Sequence, residues 1–258
     1  MSNLMFTNAI VRTPGRSITK GLSNSITLGL PNYEQAIIQH QSYTDTLTKC
    51  GLDVHVLEPC EEYPDSTFVE DVALITPNCA IITRPGAPSR RGEVHEIEFV
   101  LKQRFNNIEA IEAPGTIDGG DIMMVGGHYY IGLSERTNLE GAKQIIQILK
   151  KYGMSGSTIS LKKVLHLKTS LSYLEKNNLV VSGEFINDSY FGQYNSIEIP
   201  EKESYAANCI WVNESVIIPL GYPTTKQRIK NAGYPVIETD VSEFQKLDGG
   251  LSCLSLRY

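Results

Sequence analysis

The chain has 258 residues, 41% hydrophobic and 20% charged, with a formal net charge of -6. That composition supplies one full-sized globular core and no basic stripe for nucleic acid or an anionic membrane, while acidic surroundings suit a cationic small molecule. Cys50, Cys60, Cys79, Cys209 and Cys253 are odd in number and scattered, with no CxxC pair, which argues against a disulfide scaffold or zinc ribbon and for a reducing cytoplasm.

At the start, MSNLMFTNAIVRTPGRS has no basic segment leading into an apolar run, and no window reaches the length of a membrane span. Within it, FTNAIVRTPG reads as a strand. The glycine-rich stretch from Gly21 to Gly29, ending near Pro31, has the position and composition of a lid. A helical pattern from Tyr33 to Cys50 leads to the extended run LDVHVLEP. From Glu70, ED-VALI-TPNC-AIITRPG reads as a hairpin, followed by a helical pattern from Ser89 to Phe105 and the run NIEAIEAP. From Gly119, GGD-IMMV-GGH-YYIGLS is a second hairpin. A helix from Glu135 to Tyr152 follows, with Ser134 as its expected cap and Gly153 as its stop, then STISLKKVL. HLKTSLSYLEKNN-LVVSGEF, from His166, is a third hairpin; it lacks an obvious long helix before SIEIPE. AANCIWV-NES-VIIPLGYP, from Ala206, is a fourth, with a helix from Thr224 to Ala232 and the run PVIETDV. The tail LSCLSLRY supplies one strand of a fifth hairpin, whose other strand is the N-terminal FTNAIVRTPG.

The unit is therefore strand, strand, helix, strand, repeated about every 40 to 50 residues, a period typical of solenoids and propellers. An open solenoid needs polar capping units, and none is visible, whereas a closed ring needs paired termini, which the split fifth unit offers. The expected fold is thus a single α/β domain over residues 1–258, a five-bladed α/β propeller closed by its N- and C-terminal strands. In such a ring the residues opening the inner strands converge near the axis: Asp71, Asp118 with Asp121, His166, Asn208, and Cys253 on the inner strand of the last blade.

The stretches PDSTFVEDVALI, RPGAPSRRGEV, TIDGGDIMM, GLSERTNLEGA, VLHLKTSLSYL, ESYAANCIWVN and DGGLSCLSLR resemble the dimethylargininase (dimethylarginine dimethylaminohydrolase) family of the guanidino-modifying superfamily. The resemblance runs from near Leu22 to Tyr258. It implies a five-bladed α/β propeller with an axial active site, and hydrolysis of methylated arginine to citrulline and a methylamine without a cofactor.

The residue types suit that chemistry. A guanidinium carbon is a poor electrophile because its charge is spread over three nitrogens, and a soft thiolate attacks it better than water does. Cys253 is the candidate nucleophile, and His166 the group that protonates the leaving amine and then deprotonates water. By the resemblance, Asp118 orients His166, Asp71 pairs with the guanidinium, and Glu70 is a neighbouring substrate-binding position. Arg90 and Arg136 match the arginines that hold the α-carboxylate. Asp65 and the Leu22 carbonyl receive the α-ammonium, and the Leu247 carbonyl is a further contact. The residues alone leave Arg90 and Arg91 open; the family register favours Arg90.

Each assignment has a structural rival. A lone cysteine is more often a small buried hydrophobe, His166 between apolar neighbours could be a core histidine, and Glu70 with Asp71 could cap a turn. Of Asp118 and Asp121, Asp121 is expected to be the structural one. No chelating motif such as HExxH is present, so no metal is expected, and zinc would inhibit by occupying the thiol. The alternatives in function are an arginine or agmatine deiminase, an amidino transferase, and a non-catalytic propeller that binds partners. The expected partner is a small cationic amino acid, with neither nucleic acid nor membrane; a strand edge or helix face leaves a homodimer open.

Overall fold

The computed structural model describes residues 5–24 and 26–258; Ser25, within the expected lid stretch, lies outside the described residues. Among the described residues, five three-stranded sheets carry the fold. The first joins β1 (Asn8–Arg12) to β2 (Asp53–Leu57) in parallel, across α1 (Tyr33–Lys49). The next two are β3 (Ala73–Ile75), β4 (Ala80–Ile82) and β5 (Ile108–Ala110), with α2 (Val94–Lys102), and β6 (Ile122–Val125), β7 (His128–Leu133) and β8 (Ser155–Ser160), with α3 (Leu139–Lys151). The fourth contains β9 (Leu171–Tyr173), β10 (Asn178–Val181) and β11 (Asn195–Glu198). The fifth contains β12 (Ile210–Val212), β13 (Ser215–Pro219) and β14 (Val236–Thr239), with α4 (Pro223–Asn231). A short α5 (Ser242–Gln245) precedes β15 (Leu256–Arg257), which returns to the first sheet.

The expected pairing of the chain ends is present: β15 runs antiparallel to β1, with Ile10 opposite Leu256 and Ala9 opposite Arg257. The Tyr258 carbonyl accepts the N–H groups of Thr7 and Asn8 at 2.9 and 2.8 Å. The tail is also pinned from the side. Tyr43 of α1, wholly buried, has its hydroxyl 2.9 Å from the Leu251 carbonyl and 2.7 Å from Ser255 Oγ. A free terminal segment frays; this one is tied by a ladder and by a buried phenol.

Every sheet repeats one order: an antiparallel hairpin, then a parallel third strand. Four of the crossovers are helical, as apolar spacing predicts. In the fourth sheet two short 3-10 turns, Gly183–Phe185 and Ser189–Phe191, take the helix's place. Their buried Phe185 and Phe191 join Tyr130, Tyr190 and Tyr194 through edge-on ring contacts. Large aromatic area replaces the missing apolar helix face there.

Three expectations need correction. Cys253 is not on a strand: it occupies the 3-10 turn Ser252–Leu254, and ladder pairing begins two residues after that turn. The helix expected from Ser89 begins at Val94, after a 3-10 turn over Pro88–Glu93 that turns Arg90 inward to the carbonyls of Asp65 and Phe68. The third helix is capped by Asn138, whose side chain accepts the Gly141 N–H at 2.8 Å. Ser134 instead accepts the N–H groups of Arg136 and Thr137 in the preceding turn and donates to Asp121.

The 3-10 turns position the site. One precedes the first strand of each sheet: Val69–Val72, Gly119–Asp121, Leu167–Thr169, Glu201–Ala207 and Ser252–Leu254. Asp71 and Cys253 lie in these turns, Asp118 and His166 immediately before theirs, and Asn208 immediately after its own. The first strands of all five sheets, at Leu74, Met123, Ser172, Ile210 and Leu256, line one cavity. Among the described residues, no helix is long and apolar enough to cross a membrane.

Candidate active site

His166 presents Nε2 to Asp118 Oδ2 at 3.1 Å. The other Asp118 oxygen accepts the Gly86 N–H at 2.9 Å, which fixes the carboxylate that orients the ring. Burial disfavours a charged imidazole, but Asp71, Asp118 and Asp121 outweigh it and raise the His166 pKa from 6.5 to about 9. Gly120 permits this closeness: a Cβ there would stand 2.9 Å from His166 Nδ1 and 3.0 Å from Asp71 Oδ1. Asp121 is fully buried and tied to Ser134 Oγ and the Leu167 N–H, the structural role expected of it.

Asp71 Oδ1 accepts the Gly120 N–H at 2.9 Å and Oδ2 accepts Arg90 Nη1 at 2.6 Å. Burial opposes ionisation of Asp71, yet Arg90, His166 and these hydrogen bonds hold its carboxyl below the usual range. Each oxygen keeps a lone pair for a ligand. Arg90 is itself deeply engaged. Its Nε donates to Glu93, and Nη2 to Glu93 and to the carbonyls of Phe68 and Asp65, which leaves one Nη1 N–H uncommitted.

Cys253 is buried, with Sγ 3.4 Å from the Gly250 nitrogen, which donates to it. Burial pushes the thiol up to about 12, with Glu70 and Asp71 adding to the rise; the Gly250 N–H and Lys168 pull the other way. Glu70 lies just behind, accepting from Lys168 Nζ at 2.6 Å and from Ser252 Oγ at 2.8 Å.

Cys253, His166, Asp118, Asp71, Arg90, Asp65, Arg136, Leu22 and Leu247 line one cavity of ≈ 130 Å³. Cys253 and His166 share a second, smaller cavity beside it. Asp65 accepts the Leu22 N–H at 2.9 Å, so the segment after Gly21 is held at the rim. Nine of the ten expected site residues thus meet; Glu70 does not line this cavity. Successive residues of a tight 3-10 turn point apart, and Asp71 takes the direction that faces the cavity. A family model described as "N,N dimethylarginine dimethylhydrolase, eukaryotic" matches residues 30–254.

The chain belongs to the dimethylarginine dimethylaminohydrolase family. It is 58% identical, over 98% of its own length and all of the relative's, to the N(G),N(G)-dimethylarginine dimethylaminohydrolase of Pseudomonas aeruginosa. A solved structure of the Pseudomonas aeruginosa family member, a cysteine-to-serine mutant complexed with citrulline, matches with a TM-score of 0.97 at 57% identity, covering 99% of this chain and 100% of that one. A dimethylarginine dimethylaminohydrolase adduct with S-methyl-L-thiocitrulline matches with the same TM-score and identity, over 98% and 100% of the two chains.

Around this cavity the structure adds four residues that the sequence alone does not single out: Lys168, Glu93, Ser252 and Tyr43. Lys168 lies in the HLKTS stretch beside His166, and Ser252 precedes the cysteine, so proximity in sequence is the available signal. Glu93 and Tyr43 act through contacts that no spacing rule foretells. Single ligand atoms of Asp71, Asp118 and His166 also lie within 4.8 Å of one another, a donor set that a metal could use. The Arg90 cation on Asp71 and the raised His166 pKa both oppose a second cation there, since a metal needs a neutral imidazole.

Proposed function

We propose that the protein hydrolyses free Nω-methylated arginine, asymmetric dimethylarginine or monomethylarginine, to citrulline and the corresponding methylamine, through a covalent intermediate on Cys253. The carrying observation is the convergence of a thiol, a carboxylate-oriented imidazole and a paired carboxylate on one small cavity. The Pseudomonas relative bears the name of this activity, and the citrulline complex holds the ureido product that the reaction yields.

Before substrate binds, the thiol is protonated and the imidazole charged at neutral pH. A bound guanidinium brings positive charge to the sulfur while its N–H groups take the free lone pairs of Asp71, and the thiol proton passes to water. The Cys253 thiolate then forms a C–S bond at the guanidinium carbon. The tetrahedral adduct breaks its C–N bond to the methylated nitrogen, which takes the proton of the His166 imidazolium and leaves as amine. Neutral His166 removes a proton from water and hydroxide adds to the same carbon; the C–S bond then breaks as the new hydroxyl gives its proton to water, which releases neutral citrulline and the thiolate, and the sulfur takes a proton back from water as the product leaves. Asp118 holds the ring in place and stabilises its charge.

At the far end, Arg136, with the remaining N–H of Arg90, binds the α-carboxylate, while Asp65 and the Leu22 carbonyl bind the α-ammonium and the Leu247 carbonyl adds a contact. Arg90 chiefly sets Asp71. We infer that residues 1–258 form a single catalytic domain, a five-bladed α/β propeller. Support comes from the uniform strand order, the β1–β15 closure and the five first strands around one cavity. A free amino acid is the partner in this reading, with no nucleic acid or membrane, and the cytoplasm is the setting; exposed strand edges leave room for a homodimer.

The test is a panel of asymmetric dimethylarginine, monomethylarginine, arginine and agmatine, scored for ureido product and released amine. Fast release of dimethylamine or methylamine is expected. Ammonia from arginine or agmatine as the fast product would make the protein a deiminase, and no ureido product from any would remove the enzyme.

A further inference from the structure

Asn208 ends the 3-10 turn that leads into the fifth sheet, yet its carboxamide is spent on the turn that carries Cys253. Its Oδ1 accepts the Ser252 N–H at 2.9 Å and its Nδ2 donates to Ser252 Oγ at 3.1 Å. Ser252 Oγ passes its own proton to Glu70 Oε2 at 2.8 Å. The donor order therefore runs one way, from Asn208 through Ser252 to Glu70, and a reversed carboxamide would set two donors against each other at the Ser252 N–H. The same carboxamide packs on Gly250, where any Cβ would run into it. Gly250 in turn donates its N–H to Cys253 Sγ and accepts the Cys253 N–H at 3.2 Å.

We propose that Asn208 is a positioning residue for the attacking sulfur, acting through the Ser252 peptide and the Gly250 N–H; this rests on the reading of Cys253 as nucleophile. Among the described residues, the hydrogen-bond contacts of the sulfur are the Gly250 N–H at 3.4 Å and Ser252 Oγ at 4.0 Å. With the Ser252 proton committed to Glu70, the Gly250 N–H is the donor left to stabilise a thiolate against burial. Losing the Asn208 side chain orphans the buried Ser252 N–H. It also opens space beside Gly250, so the three-residue turn drifts, and sub-ångström drift of a nucleophile is expensive in rate.

The experiment compares wild type with Asn208→Ala in two readouts: turnover of asymmetric dimethylarginine, and the pH dependence of Cys253 alkylation by iodoacetamide without substrate. The proposal expects kcat to fall about tenfold to a hundredfold with KM within about threefold, and the alkylation curve to move to higher pH. An unchanged alkylation curve, or a loss confined to KM, overturns it. Because alkylation needs no substrate, this readout fails or succeeds independently of the substrate assignment, which wild-type turnover tests separately. Should Asn208→Ala not fold, Asn208→Asp decides. A protonated aspartic acid can accept from the Ser252 N–H and donate to Ser252 Oγ as asparagine does, so the ratio of variant to wild-type kcat must rise as pH falls. A ratio flat with pH overturns the proposal.

Discussion

His166 Nε2 lies 3.1 Å from Asp118 Oδ2, on a carboxylate whose second oxygen is held by the Gly86 N–H. The imidazolium is therefore stabilised by the fold, and folding stability depends on its charge. The folded-state pKa, about 9, is above the ordinary 6.5. The contribution is fully present below about pH 6.5 and is lost as pH rises through about 9, with a ceiling of about 3 kcal/mol for a shift of that size. Urea unfolding of wild type and His166→Gln between pH 6 and 9.5 measures it. The wild type should lose stability across that window and the variant much less; parallel curves would contradict the assignment.

Arg90 is the cation between two buried carboxylates, Asp71 and Glu93. Arg90→Ala leaves both without a counter-charge, and the expected destabilisation is about 3–5 kcal/mol. Arg90→Lys keeps the charge and loses the fork, so it should fall between the two. Denaturant midpoints check the order. A nearly neutral alanine variant would show that Asp71 is held by something else.

Gly120 faces both His166 and Asp71. Gly120→Ala should lower kcat by about tenfold or more by displacing the His166 ring and the Asp71 carboxylate, at a stability cost of about 1–3 kcal/mol from overpacking. Steady-state kinetics beside a melting curve separates the two effects. A folded alanine variant with wild-type kcat would mean that the ring and the carboxylate tolerate displacement.

Much of this site was legible because its residues lie in or just before the short turns that lead into strands, and such positions are visible as polar residues before short apolar runs. Asp71, Asp118, His166 and Cys253 stood out in that way, and the pairing of FTNAIVRTPG with LSCLSLRY followed from one unmatched strand at each end. The local geometry was less legible. Three-residue 3-10 turns have no hydrophobic period, so Cys253 read as part of the strand that follows it. Ser134 and Asn138 are both good caps, and the choice fell to Asn138 because Ser134 is drawn to Asp121, a contact between distant segments. The same limit hid the partners of Arg90. A guanidinium expected at the substrate is mostly consumed by Asp71 and Glu93, and the Tyr43 hydroxyl that pins the tail is more than two hundred residues away from it in sequence.

The covalent step is tested most directly by acid quenching the enzyme during turnover of asymmetric dimethylarginine and mapping the modified peptide by mass spectrometry. A single substrate-derived group should appear on the peptide bearing Cys253 within a turnover, decay as citrulline accumulates, and be missing in an inactive Cys253→Ser variant. Citrulline formation at an undiminished rate by Cys253→Ser, with no modified Cys253 peptide in the wild type, would contradict nucleophilic attack by this sulfur.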